Sequence, residues 1–461
     1  MYVTIIGWMI LCAYLALFFA VFGWLTARLR FPAFSVQRLC GVPAAWVALE
    51  YARTHLLSGF GWNVLAYTQT SWRLIIQGVD ITGAWGLSFL IVLVNVALAD
   101  LIALRVRRSR SARVRRGALR RLRVSLACVA VLLLGVMGYG VWRLRHLAIG
   151  PTVRVAVVQG NIPQEQKWNE TYEEAIQQRY AALTRDVAAY HPDLIVWPET
   201  SVPGYLGVDD TLTAWVSGLA EDLHQPLLVG APVPGLEQNR VVLHNSAVLI
   251  AQDGTLTQQY DKLHLVPFGE FIPFELQVPW LRRILPPIGD FSPGHQETVF
   301  HLNVRREAAA NHAMASTIHL PFSVLICFED VFPNHPRQFV REGARLLLVI
   351  TNDAWFGPTA AAYQHAQAST FRAVELRVPV VRAANTGWSG CIDATGRWCG
   401  AVRDAQDHEL FIEGTHICEL SLGTSQTLYA RWGDWFAWLC LIFSAGIMMR
   451  LRRRRASRVH G

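Results

Sequence analysis

The chain of 461 residues is 52% hydrophobic and 16% charged, and its formal net charge is +8. This length allows two or three domains, whereas so apolar a composition is unusual for a chain that is soluble throughout. The basic residues are concentrated beside apolar segments, which argues against a nucleic-acid-binding surface and indicates a membrane protein.

Five apolar segments are candidates for membrane helices. The first has 22 residues without a charge, and at about 1.5 Å per residue it is long enough to cross the hydrocarbon core of a bilayer. The second and third carry ionisable residues, among them Glu50 and Asp100. In chain order the five segments are Val3–Trp24, Leu39–Leu57, Gly83–Leu104, Val124–Trp142 and Trp435–Met449.

Clusters of arginine predict how these helices are oriented. Residues 105–123 hold ten arginines, and smaller clusters follow the first segment, at 28–38, and the last, at 450–455. Since positively charged loops stay in the cytoplasm, the helices alternate without conflict and the long region between the fourth and fifth helices lies outside the cytoplasm. The expected domains are a transmembrane bundle of about four helices at 1–149 with its basic cytoplasmic loop at 105–123, an external domain at 150–430, and a closing helix with a basic cytoplasmic tail at 431–461.

The external region shows short apolar runs that alternate with helix-length segments, a pattern typical of an α/β fold with buried strands. Glu199 ends the run LIVWPE, Cys327 ends VLIC, and Asn352 and Asp353 end LLLVITND. Because sites in open α/β sheets gather at the carboxyl ends of strands, these residues are candidates for an active site. The alternative for Cys327 is a core cysteine, since cysteine is among the most buried residue types.

A further stretch, YDKLHLVPFGEFIP, adds Lys262 and Glu270. A carboxylate can deprotonate a thiol, and a lysine ammonium with the backbone N–H after the cysteine can hold the negative oxygen of a tetrahedral intermediate. Glutamate, lysine and cysteine together therefore indicate an acyl-transfer site. We expect Glu329 to share the side of Cys327 on an extended chain, and Asp330 to lie at the surface or in a turn.

Three motifs, in this order, resemble the Glu–Lys–Cys signature of the nitrilase superfamily: WPETSVP at 197–203, DKLHLVPFGEF at 261–271 and ICFED at 326–330. Three more motifs, with the flanking membrane segments, are similar to the apolipoprotein N-acyltransferases, the family that completes bacterial lipoprotein maturation. These are EYARTHLLSGFGWNVLAYTQ at 50–69, QGNIPQEQKW at 159–168 and TNDAWFG at 351–357. The resemblance extends over nearly the whole chain.

The resemblance implies an α/β nitrilase-like αββα sandwich joined to an α-helical transmembrane bundle. It implies a multi-pass protein of the bacterial inner membrane whose catalytic domain faces the periplasm. Cys327 would take an acyl chain from a phospholipid, typically phosphatidylethanolamine, and pass it by ping-pong chemistry to the N-terminal diacylglyceryl-cysteine of an apolipoprotein. Glu199 matches the general base and Lys262 the oxyanion stabiliser, and neither a cofactor nor a metal is expected.

Five further residues take roles from the resemblance. Glu270 and Glu329 match the supporting acids near the lysine and the cysteine. Trp168 and Trp355 match aromatic residues on mobile arms near the lipid entrance, with membrane-interface anchors or core residues as the alternative. Phe328 stands where this family commonly has a tyrosine.

Other interpretations remain open at this point. The family usually has further membrane helices before the first segment found here, which predicts either their natural loss or a start site assigned too late.

The chain could also be a membrane-tethered nitrilase-type amidase, or a catalytically idle paralogue that binds lipid or lipoprotein. The membrane bundle argues against the amidase, and the complete Glu–Lys–Cys set argues against the paralogue.

The stretch CIDATGRWC predicts a β-hairpin. Gly396 would take the positive φ of a three-residue turn that starts at Ala394, and Cys391 would then face Cys399 across the hairpin or be offset from it by one residue. A location outside the cytoplasm permits a disulfide between them, with two separate small apolar residues as the alternative. The sequence contains no Cys/His spacing typical of a zinc site.

Overall fold

The computed structural model describes residues 2–29, 31, 33–106, 112–148, 150–273, 280, 289–306, 316–424 and 426–459. The chain forms two compact units, one made of Met1–His146 with Trp432–Gly461 and the other of Leu147–Arg431. We expect the arginine-rich segment 105–123 to be a cytoplasmic loop. Residues 107–111 of it lie outside the described residues, whereas residues 112–123 belong to the helix Ala112–Arg145 instead of a loop.

A helix occupies each of the five apolar segments of the first unit. The five helices are Tyr2–Leu29, Val36–Arg53, Ala84–Val106, Ala112–Arg145 and Trp435–Val459. Within the described part of the chain, three stretches are long and apolar enough to cross a membrane: Ile5–Arg28, Ala84–Val106 and Arg115–Arg145. The apolar part of the last helix, Trp435–Met449, is shorter. Three short elements complete this unit: the 3₁₀ helix Leu65–Gln69 and the helices Arg73–Ile76 and Val79–Thr82.

Carboxylates of the first unit have partners in the structure. Asp100 pairs with Arg38 at 3.2 Å, and Asp80 pairs with Arg143 at 2.8 Å. Glu50 is buried and accepts a hydrogen bond of 2.8 Å from a backbone N–H. Because an unpaired charge within a bilayer is costly, these contacts explain how largely apolar helices tolerate acidic residues.

The second unit contains two six-stranded sheets. In chain order the strands are β1 Thr152–Gln159, β2 Leu194–Val196, β3 Leu227–Glu237, β4 Arg240–Ile250, β5 Leu256–Asp261, β6 Phe300–Arg306, β7 Ser316–Ile326, β8 Leu346–Thr351, β9 Val380–Ala384, β10 Gly390–Ile392, β11 Trp398–Ala401 and β12 Gly414–Ser421. The first sheet has the order β12-β1-β2-β3-β4-β5 and the second the order β11-β10-β9-β8-β7-β6. Within the first sheet, β1, β2 and β3 run parallel to one another. Within the second sheet, β7, β8 and β9 do the same.

The two sheets face each other across one core, and helices cover their outer faces. Val155 and Val157 of β1 point into the core between the sheets, whereas Ala156 and Val158 pack in a second cluster with helix residues such as Ile176, as expected for side chains that alternate along a strand. Among the described residues of this region, the α-helices are Glu173–Ala188, Asp210–Leu223, Asn334–Arg341, Ala361–Leu376 and Leu428–Trp432. The predicted αββα sandwich is thereby confirmed.

The predicted hairpin is formed by β10 and β11, which are antiparallel. Gly396 lies in the turn with a φ of +81°, as predicted. Cys391 pairs with Gly400 instead of Cys399, because a bulge after Cys391 shifts the register by one residue. Both cysteines are free thiols in this structure, as in the alternative of two separate small residues.

Candidate active site

Glu199 lies in a buried loop just after β2 and is held by groups from both sheets. One carboxylate oxygen accepts a hydrogen bond of 2.7 Å from the side chain of Asn245, and the other accepts one of 3.0 Å from the backbone N–H of Asn352. The loop passes close to Gly230, where a Cβ atom would lie 2.3 Å from the carbonyl oxygen of Pro198. A glycine is therefore needed at this position for the Glu199 loop to sit against β3.

Lys262 follows β5 directly and is only 1% exposed. Its Nζ lies 2.8 Å from Oε1 of Glu270 and 3.5 Å from Oε1 of Glu199. Burial alone lowers the pKa of this lysine, but the carboxylates of Glu270 and Glu199 outweigh burial and raise it above the ordinary value. Lys262 is therefore a cation at neutral pH, which is the form that can hold a negatively charged oxygen.

Cys327 stands where β7 ends at Ile326 and a 3₁₀ helix, Cys327–Val331, begins. Its φ of +54° is in the left-handed region, which is uncommon for a residue other than glycine. Burial raises the pKa of the thiol and the negative charge of Glu199 raises it further, while Lys262 opposes this in part. The thiol is thus protonated at neutral pH, and it needs a base before it can act as a nucleophile.

Glu329 does not share an extended chain with Cys327, because the chain turns into the 3₁₀ helix at the cysteine. That expectation is wrong. The fully buried carboxylate accepts hydrogen bonds of 2.8 and 3.0 Å from the backbone N–H groups of Leu263 and His264, and one of 2.8 Å from that of Ile326. Glu329 therefore ties the segment after Lys262 to the turn that carries the thiol.

The surroundings of Glu329 stabilise its ionised form. Burial raises the pKa of its carboxyl group, but His335, at 3.3 Å, and the backbone donors outweigh burial, and the pKa is lowered. Tyr260 adds a hydrogen bond of 2.8 Å from its hydroxyl group. Glu329 is consequently a fixed anion in the fold, suited to positioning rather than to proton transfer.

Asp330 was expected at the surface or in a turn. It does lie in the 3₁₀ turn, but it is fully buried. Its carboxylate lies 2.6 Å from Arg382 and 2.9 Å from His365, whose other ring nitrogen lies 2.9 Å from Asp353. The predicted strand-end residue Asp353 thus belongs to a buried network behind Cys327.

This network predicts that stability depends on pH. Burial lowers the pKa of His365, but Asp330 and Asp353 outweigh burial and raise it from 6.5 to about 9. A raised pKa means that the contribution, on the order of 3 kcal/mol, is complete below about pH 6.5 and is lost as the pH rises through about 9. Thermal unfolding of the full chain in detergent should show this decline, and His365→Gln should remove it. An equal decline in the variant would assign the pH dependence to other groups.

Lys167 is a residue of this site whose role the sequence did not indicate. It is 4% exposed and donates hydrogen bonds of 2.7 Å to the carbonyl oxygen of Glu199 and of 2.7 Å to the hydroxyl of Thr200. Burial lowers the pKa of Lys167 to about 8, against the opposing charges of Glu199 and Cys327. Its position in the motif QEQKW was the available signal, but an isolated lysine is normally solvated.

The aromatic residues predicted for the site, Trp168, Trp355 and Phe328, lie in two kinds of environment. Trp168 and Trp355 are each 51% exposed, which excludes the alternative that they are core residues. Phe328 packs edge-to-face against Phe332 at 5.0 Å, and Phe332 lies 4.0 Å from the ring of His264. The side chain after the cysteine is therefore part of a small aromatic cluster, and its backbone N–H remains at the position next to the thiol.

Comparison with known proteins identifies the class first. Residues 154–427 match the family described as carbon-nitrogen hydrolase, and residues 1–97 match the apolipoprotein N-acyltransferase N-terminal domain. The chain therefore contains a carbon-nitrogen hydrolase domain with a nitrilase-like α/β fold. Among solved structures, Nit3 of Saccharomyces cerevisiae, a member of branch 10 of the nitrilase superfamily, is 19% identical with a TM-score of 0.41 and covers 59% of this chain and 91% of its own.

Comparison with curated relatives identifies the family within this class. The apolipoprotein N-acyltransferase of Geobacter metallireducens is 39% identical over 451 residues, which is 98% of this chain and 80% of the relative. That of Methylococcus capsulatus is 35% identical over 452 residues, or 97% of this chain and 81% of the relative. The chain belongs to the apolipoprotein N-acyltransferase family. It is a membrane protein and an acyltransferase.

Proposed function

We propose that this chain transfers an acyl chain from a membrane phospholipid to the N-terminal diacylglyceryl-cysteine of a bacterial apolipoprotein, with Cys327 as the nucleophile. Glu199 is the general base and Lys262 the oxyanion stabiliser. The observation that carries this proposal is the buried contact of Lys262 with Glu270 and Glu199, at 2.8 and 3.5 Å, beside the turn of Cys327. A base, a cation and a thiol in one buried site are suited to acyl transfer.

The first half-reaction transfers the acyl chain from the phospholipid to Cys327. Glu199 takes the proton from Sγ of Cys327, and the thiolate attacks the carbonyl carbon of a phospholipid ester. Lys262 and the backbone N–H of Phe328 hold the oxyanion that forms. The ester C–O bond then breaks, Glu199 gives its proton to the leaving alkoxide, and a lysophospholipid departs while the acyl chain stays on Cys327 as a thioester.

The second half-reaction transfers the acyl chain from Cys327 to the apolipoprotein. The free α-amine of the diacylglyceryl-cysteine attacks the thioester carbonyl, and Glu199 accepts a proton from the attacking nitrogen. The same donors hold the second oxyanion. The C–S bond breaks, the sulfur of Cys327 recovers its proton from Glu199, and the product leaves with a new amide bond.

The membrane setting supports a lipid donor. Three helices of membrane-spanning length and the arginine clusters beside them support a multi-pass protein of the inner membrane with the Leu147–Arg431 unit on the periplasmic side. We assign phosphatidylethanolamine as the donor. Trp168 and Trp355 are both exposed and would contact the apolar chains of the donor, since tryptophan favours the membrane–water boundary.

A two-substrate assay tests this function. Purified protein in vesicles that contain phosphatidylethanolamine should add one acyl chain to a synthetic diacylated lipopeptide, seen as one step in peptide mass. The same peptide with its α-amine acetylated is the matched control and should stay unchanged, because the nucleophile is blocked. Hydrolysis of small amides without peptide acylation, or peptide binding without any change in mass, would contradict the proposal and support the amidase or the idle paralogue.

A further inference from the structure

Three thiols and one imidazole lie close together on the strands β10, β11 and β12. The sulfur atoms of Cys391 and Cys418 and a ring nitrogen of His416 all lie within 4.8 Å of one another. The thiol of Cys399 interacts with that of Cys391 but is not a member of this group of three. We refer to these four residues as the Cys₃His cluster.

The topology of the fold brings the cluster together. Cys391 lies on β10 and Cys399 on β11, in the second sheet, whereas His416 and Cys418 lie on β12, in the first sheet. His416 and Cys418 are two residues apart and so share one face of β12. That face points into the core, because Cys418 and the β1 residue opposite it, Val155, both belong to the cluster between the sheets.

The hairpin leaves room for the imidazole. A Cβ atom on Gly400 of β11 would lie 2.2 Å from Nε2 of His416, so any side chain at this position would displace the ring. The ring of His416 therefore occupies the space that a side chain at Gly400 would fill.

The donor set suits one kind of ligand. Thiolates with an imidazole are typical of a closed, four-coordinate zinc site, with Zn–S distances of about 2.3 Å and Zn–N distances of about 2.0 Å. Such distances bring ligand atoms to within about 3.8 Å of one another, so the ligand atoms of Cys391, His416 and Cys418, now within 4.8 Å, need to move by about 1 Å. A disulfide would use two of the three sulfurs and leave the imidazole without a role, whereas a metal ion uses all four groups.

We propose that the Cys₃His cluster binds one Zn²⁺ ion and thereby joins the edges of the two sheets. The three thiols release their protons to solvent, and three thiolates with the neutral imidazole complete a tetrahedral site. The spacing of these residues in the sequence could not show this, because the ligands come from three strands and two sheets. None of the four residues is among the groups assigned above to acyl transfer.

Metal content tests the site. Full-length protein should be purified in detergent under reducing conditions, incubated with Zn²⁺, desalted and analysed by inductively coupled plasma mass spectrometry. We expect about one zinc per chain, and almost none in Cys391→Ser/Cys418→Ser or in His416→Ala/Cys399→Ser. Cys12→Ser, the same chemical change in a membrane helix, is the matched control and should retain the metal. With Co²⁺ instead of Zn²⁺, the wild type should show the charge-transfer absorption of thiolate-bound cobalt.

Two results would overturn the proposal. One is zinc content that is equal in the wild type and the double variants, which would place the metal elsewhere. The other is a disulfide between two of the three cysteines, found by alkylation and peptide mapping of protein purified without reductant, together with no retained zinc. Circular dichroism of each variant confirms that it is folded, so that lost zinc reports lost ligands.

Discussion

Cys327→Ser should abolish acyl transfer while leaving the chain folded. A serine hydroxyl is much harder to deprotonate than a thiol, and Glu199 is a weak base for it. Loss of a nucleophile lowers turnover by a factor on the order of 10⁴ or more. Intact-protein mass spectrometry after incubation with phospholipid should show one added acyl chain on the wild type and none on the variant.

A matched control separates the nucleophile from a general effect of losing a thiol. Cys12→Ser removes a thiol from the first membrane helix and should acylate the lipopeptide at the wild-type rate. Hydroxylamine, which cleaves thioesters, should remove the acyl chain from the wild-type protein. Normal lipopeptide acylation by membranes bearing Cys327→Ser would overturn the mechanism.

Lys262→Met should reduce turnover by a factor on the order of 100 to 1,000, the effect of removing one oxyanion donor, or about 3 kcal/mol. The oxyanion exists only in the transition state, so kcat should fall while KM changes little. The substitution also leaves Glu199 and Glu270 close together without the cation between them, and we expect a lower unfolding temperature as well. The rate is therefore measured on the folded fraction, below that temperature.

Lys167→Met provides the comparison for Lys262. Lys167 is also buried beside Glu199, but it donates to a backbone carbonyl oxygen and to Thr200 instead of a carboxylate. We expect it to change the position of the Glu199 loop, with a smaller effect on kcat than Lys262→Met. Equal losses of kcat in the two variants would show that neither lysine acts on the oxyanion.

Much of the architecture could be predicted because it depends on local patterns. Apolar runs of strand length predicted the strands, and Glu199 and Cys327 were candidates because sites in α/β folds gather at the carboxyl ends of strands. The sequence did not show that Glu199 follows β2 of the first sheet and Cys327 follows β7 of the second. Helices likewise occupy all five apolar segments. The order of the motifs then linked Lys262 to the same site, although it lies far from both residues in the chain.

The errors have physical causes that a single sequence does not contain. The positive φ of Cys327 turns the chain at the end of β7, so Glu329 and Asp330 point into buried networks instead of along an extended strand. The bulge after Cys391 shifts the hairpin register by one residue, which no turn pattern predicts. The buried network of His365 and the Cys₃His cluster depend on pairs of residues from distant strands and helices.

The carboxylate of Glu329 also limits how this sequence can change during evolution. Its Oε1 accepts hydrogen bonds from Tyr260, Leu263 and His264, and its Oε2 accepts one from Ile326. Glutamine has nearly the same shape but would place an NH₂ group against the donors of one of these two oxygens. Aspartate would be too short to reach both segments. A lineage that loses this glutamate cannot recover the geometry by one neighbouring substitution, because most of these donors belong to the backbone and every sequence has them. We therefore expect that even the most conservative replacements of Glu329, by glutamine or aspartate, are not tolerated.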